Sequence, residues 1–163
     1  EPLDPWMTTR TVDGLLLAKA GLQTHGDMLV LNVAPGCEYF LHKHEGDSMR
    51  CRFCAYGAPD ERTHHLGQVA GQVGIPERTL ERMAQGLHAV VSQTTIRHIY
   101  LVGGSLTDAR LEGERFLQLA RFLKRENRYG IPVALGSGAL PDDLIEQFRR
   151  EQLVDYVCFN LEM

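Results

Sequence analysis

The chain has 163 residues, 44% of them hydrophobic and 23% charged, with a formal net charge of −4. That length suffices for one domain with a real core, and the mildly acidic balance argues against a broad electrostatic grip on nucleic acid or anionic lipid. No apolar run approaches the roughly 20 residues of a membrane-spanning helix, and no stretch carries the signature of a signal peptide.

In chain order, residues 7–23 (MTTRTVDGLLLAKAGLQ) read as a short helix, which sets residues 1–27 apart as an N-terminal helical extension. Met28–Val33 is a short apolar run and predicts a buried strand, ended by Pro35-Gly36. From Cys37 to about Gly74 no hydrophobic period holds, and the segment reads as a long loop of the kind that is usually functional. After Pro76, residues Leu80, Met83, Leu87, Val90 and Val91 recur at helical spacing. Ile96–Val102 predicts a strand ended by Gly103-Gly104, and Leu111–Asn127 a helix with Phe116, Leu119, Ala120 and Leu123 on one face and Gly130 as its stop. Ile131–Leu135 predicts the next strand, closed by Gly136-Ser137-Gly138. Pro141 opens a helix whose first-turn Asp142 and Asp143 suit its positive end, and Val154–Leu161 predicts a last strand. This alternation implies right-handed crossovers and a parallel sheet of about four strands, either open and doubly wound or an arc of a (β/α) barrel. In both, function gathers at the carboxyl ends of the strands. The start at Glu1 and the stop at Met163, right after a strand, lead us to expect an excerpt of a longer protein.

The cysteines carry the sharpest chemical signal. Three of four, Cys37, Cys51 and Cys54, fall on the loop after the first of these strands, as Cys-x13-Cys-x2-Cys. With no sign of export, such clustering suggests a metal or cluster site rather than disulfides. Three thiolates on a [4Fe–4S] cluster would leave one iron open to a ligand. Zinc fits the same spacing equally well, with His42, His44, His64 or His65 as a fourth ligand. A redox pair at Cys51 and Cys54 is a third possibility, weakened because no clear helix follows the pair. Cys158, inside the last strand, reads as a small buried hydrophobe.

The cysteine loop and the strand ends together resemble the radical S-adenosylmethionine (SAM) enzymes. Their motif is Cys-x3-Cys-x2-Cys with an aromatic residue before the last cysteine, the place Phe53 holds here; the first gap is thirteen residues instead of three. Val102-Gly103-Gly104-Ser105 is similar to the Gly-Gly-Glu turn after the family's second strand, with Ser105 where Glu is common. Asn160-Leu161-Glu162 resembles the strand-four end of the biotin synthase and hydrogenase-maturase branch, and Ala55-Tyr56-Gly57 the turn after the last cysteine.

The resemblance implies that residues 28–163 are the N-terminal portion of a TIM-like (β/α) barrel. It implies Cys37, Cys51 and Cys54 as ligands of a [4Fe–4S] cluster. It implies Phe53, Tyr56, Gly103, Gly104, Ser105, Ser137, Asn160 and Glu162 as SAM-contacting positions. The expected activity is reductive cleavage of SAM to a 5′-deoxyadenosyl radical that abstracts hydrogen from a small-molecule or peptide substrate. An electron donor such as flavodoxin or ferredoxin and a cytoplasmic setting follow from that chemistry, with no membrane or nucleic-acid partner. Two rivals stand beside it: a zinc-stabilised binding module without catalysis, and a cluster-free α/β enzyme that lacks the usual phosphate-loop motifs.

Overall fold

A computed structural model describes residues 4–32, 36–51 and 74–159. Strands β1 (Leu22–His25), β2 (Met28–Asn32), β5 (His98–Val102), β6 (Val133–Ser137) and β7 (Tyr156–Phe159) form one sheet in that spatial order, and the short β3 (Lys43–His44) and β4 (Asp47–Ser48) form a separate hairpin. Within the large sheet β2, β5, β6 and β7 run parallel, while β1 pairs antiparallel with β2. Helices α2 (Glu77–Gln93), α3 (Ala109–Glu126) and α4 (Asp142–Arg150) form the crossovers between the parallel strands. The fold is therefore α/β with a mostly parallel central sheet.

Strand register explains which face is covered. Leu29, Ile99 and Val133 lie in one row across β2, β5 and β6, and Leu31, Leu101 and Leu135 in the next. All six are buried and share one core with Met83, Leu87 and Val90 of α2, Phe116, Leu119 and Leu123 of α3, and Leu144 and Phe148 of α4. Each crossover steps the same way along the sheet, so right-handed connections place all three helices on one face. The strand order never reverses, unlike that of a doubly wound sheet. The opposite face carries Val30, Tyr100, Ala134 and Tyr156 in a single row.

Two expectations change. The helix read over 7–23 is only a four-residue turn, α1 (Pro5–Thr8), followed by a 3-10 turn at Leu17–Lys19 and strand β1. The segment owes its burial to tertiary contacts rather than to a helical period: Trp6, Leu17, Ala20 and Leu22 all enter the common core. Gly86 of α2 lets Leu22 approach, since a Cβ at 86 would lie 2.6 Å from a Leu22 methyl. Cys158, read as buried, is exposed, because β7 is the last strand of the sheet among the described residues.

Trp6 is the single tryptophan and is fully buried, so native emission is expected to be blue-shifted and to move red in one transition with loss of helical circular dichroism. Trp6→Ala is expected to cost ~3–5 kcal/mol in urea denaturation, the range for emptying a large core site; an unchanged midpoint would mean that the segment is dispensable to the core.

Candidate functional site at the carboxyl end of the sheet

The loops that follow β2, β5 and β6 meet at one end of the sheet. Their closest approach is peptide against peptide. A Cβ at Gly104 would overlap the Gly36 carbonyl oxygen and stand 2.8 Å from the Cys37 backbone nitrogen. Only glycine leaves room for that packing. The Gly103-Gly104 turn, expected as a ligand-facing element, thus also seats the first cysteine. The Glu38 N–H donates to the Ser105 carbonyl oxygen at 3.0 Å, which fixes the register of the two loops.

Side chains extend this docking. Glu38 is buried, and its carboxylate accepts from the Thr107 backbone N–H and hydroxyl, both at 3.0 Å. Glu112, in the first turn of α3, accepts from the Leu106 N–H at 2.8 Å and the Gly138 N–H at 3.3 Å. Arg115, one turn along the same helix, is only 4% exposed and lies within electrostatic reach of both carboxylates. Burial lowers its guanidinium pKa, and Glu38 and Glu112 push it back up. Buried charges persist where opposite charges and hydrogen bonds compensate their lost hydration. Sequence reading missed all three residues, because on an amphipathic helix Glu112 and Arg115 look like solvent-facing charge.

Cys37 is buried at the start of a 3-10 turn (Glu38–Phe40), and Cys51 is half-buried. Between them the chain forms a hairpin. Lys43 pairs with Ser48 and His44 with Asp47 around a two-residue turn in which Glu45 (φ 51°) and Gly46 (φ 92°) both take left-handed conformations, the type I′ arrangement. The Met49 N–H donates to the His42 carbonyl oxygen at 3.1 Å and closes the base. Residues 43–48 therefore add chain without adding span, and only residues 38–42 and 49–50 separate the two cysteines along the pinched path. His42 and His44 are exposed on this hairpin.

The other expected site residues distribute as follows. Gly103 and Ser105 flank Gly104 in the turn after β5. Ser137 is buried, shares the helix-covered side with Leu135, and donates its hydroxyl to the Gly138 carbonyl oxygen at 3.0 Å. At that level Gly136 faces the open side, where it makes room for Tyr100, whose ring Cε2 would stand 3.0 Å from a Cβ at 136. Burial, and secondarily Cys158, raises the Tyr100 phenol pKa. Phe53, Cys54, Tyr56, Asn160 and Glu162 lie outside the described residues, as do His64 and His65. Among the described residues no group of three His, Cys, Asp or Glu side chains is placed to hold a metal, and no helix is long and apolar enough to cross a membrane. Comparison with protein-family models, curated proteins and solved structures returned no match.

Gly104→Ala is expected to drive the 103–105 turn away from Gly36 and Cys37 at a cost of ~1–3 kcal/mol, the range for overpacking a tight contact. Urea denaturation checks it; a variant as stable as the parent chain would show that the two peptides are not in contact.

Proposed function

We propose that the chain is the front portion of a radical SAM enzyme, in which Cys37, Cys51 and Cys54 hold a [4Fe–4S] cluster and the strand ends bind SAM. The observation that carries this reading is the packing of the Gly103-Gly104 turn directly on the backbone of Cys37. Two motifs more than sixty residues apart in sequence, each chosen for its likeness to one family's cofactor site, meet at the carboxyl end of the same sheet. The thirteen-residue first gap, the main departure from the family pattern, is taken up in part by a hairpin closed at its base between His42 and Met49.

The sheet supports an arc of a (β/α) barrel over a doubly wound sheet. Its strand order runs without reversal and its helices share one face, leaving the other face as a barrel's inner wall. In this reading Tyr100 and Gly136 belong to the cavity side.

When bound, the cluster supplies an electron for cleavage of SAM to methionine and a 5′-deoxyadenosyl radical. The chain's own part is to place the cofactors. Gly103 and Gly104 expose backbone to the SAM amino group, with Ser105 beside them. By the family resemblance Asn160 and Glu162 would serve the ribose and methionyl portions of SAM, Tyr56 the adenine, and Phe53 the aromatic position before the last cysteine. Ser137, turned to the helix side, uses its hydroxyl to hold the Gly138 carbonyl and so shapes the loop after β6. The substrate is a small molecule or peptide, the electron donor a flavodoxin or ferredoxin, and the setting the cytoplasm.

Cys51→Ala is expected to abolish 5′-deoxyadenosine formation from SAM and dithionite after anaerobic reconstitution of the full-length protein with iron and sulfide. Turnover in that variant equal to the parent's would overturn the proposal. Colourless parent protein that retains one zinc would point instead to a structural zinc module.

A further inference from the structure

The cysteine loop is fastened to the rest of the fold by groups that no cofactor requires. Glu38, immediately after Cys37, is buried and its carboxylate accepts hydrogen bonds from the Thr107 backbone N–H and hydroxyl. Glu112 joins the loops after β5 and β6 through Leu106 and Gly138. Arg115 is buried within electrostatic reach of both carboxylates, on a helix that the core fixes through Phe116, Leu119, Ala120 and Leu123. A charged network of this kind is a costly way to fill space, and an apolar cluster of similar volume would commonly serve stability as well or better. What it offers instead is direction, because each carboxylate oxygen accepts only where its donors stand.

We propose that Arg115, Glu38 and Glu112 are positioning residues that hold Cys37 in its ligating pose before any cluster is present. Arg115 is the anchor. Its buried guanidinium lies within electrostatic reach of both carboxylates; Glu38 clamps the Cys37 backbone onto the 105–107 segment, and Glu112 sets that segment against the loop after β6. Glu38 and Glu112 together link three strand-end loops, so displacement at any one of them loosens the cysteine. Only the word "ligating" rests on the radical SAM reading. The positioning of Cys37 is a property of the metal-free chain and is testable without iron.

The test is thiol alkylation of the metal-free full chain with iodoacetamide under native conditions, with modification at each cysteine followed by mass spectrometry. Cys158 is exposed and serves as the internal reference, while Cys37 is 8% exposed. In the parent chain Cys37 is expected to react at least about tenfold more slowly than Cys158, the ratio given by a closed state favoured by about 1.4 kcal/mol. In Glu38→Ala and Arg115→Met that ratio is expected to collapse toward one, with the Cys158 rate unchanged. Arg115→Lys, which returns the charge, is expected to restore part of the protection, and Glu38→Gln, which keeps an acceptor oxygen, to fall between parent and Glu38→Ala. A role confined to overall stability would expose Cys37 only through global unfolding, so that its rate in each variant would track the urea-derived unfolding equilibrium, and that result overturns the proposal, as does a Cys37 rate that stays slow in both Glu38→Ala and Arg115→Met. Should Arg115→Met lose its helical circular dichroism, the graded pair Glu38→Gln and Glu38→Ala decides by the same ratio. Failure of the radical SAM reading would appear separately, as SAM cleavage in Cys51→Ala, and would leave these rates as they are.

Discussion

At the carboxyl end of the sheet two peptide planes, Gly36–Cys37 and Gly103–Gly104, lie so close that no side chain fits between them. Much of the chain's local design follows from that contact. It requires glycine at 104, it places the start of the long cysteine loop over the middle of the sheet, and it leaves the next backbone donor, at Glu38, to be satisfied by Ser105 across the gap. A buried loop must find partners for every polar group it brings with it. The chain meets that demand at Leu106, Thr107 and Gly138 with two buried carboxylates rather than with bulk apolar packing.

The core beneath explains why such a polar device is tolerated. The rows Leu29–Ile99–Val133 and Leu31–Leu101–Leu135 bury a continuous apolar face under α2, α3 and α4. Dispersion and hydrophobic burial there hold α3 rigid, so Glu112 and Arg115 project from a fixed base. The opposite face bears Tyr100, packed over Gly136, and the exposed Cys158 and Tyr156 of the outermost strand. One side of the sheet is thus given to stability. The other side and the strand ends carry the residues whose chemistry is not explained by packing.

Much of this was legible in the sequence, and the reasons are physical. Helices α2, α3 and α4 and the four parallel strands announce themselves through apolar helical faces and short apolar runs, several of them bounded by proline or glycine. The strand-end motifs were visible because glycine pairs and clustered cysteines stand out in composition. The N-terminal segment was not, because its burial comes from partners distant in sequence: Trp6 and Leu22 are set by the core, not by a local repeat. The hairpin between the cysteines escaped because its turn uses Glu45-Gly46, where Asn-Gly or Asp-Gly would have signalled a type I′ turn, and because its strands are two residues each. Glu38, Glu112 and Arg115 escaped because buried charge has no local signature; their partners lie on other elements.

The central claim is that the cysteine loop holds an iron–sulfur cluster with one iron open to SAM. The most direct measurement is electron paramagnetic resonance of the full-length protein, reconstituted with iron and sulfide, reduced with dithionite and recorded with and without SAM. The expected result is the signal of a reduced [4Fe–4S] cluster whose g-values shift when SAM is added. A reconstituted protein that takes up no iron and sulfide, or whose reduced cluster is unmoved by SAM, would contradict it.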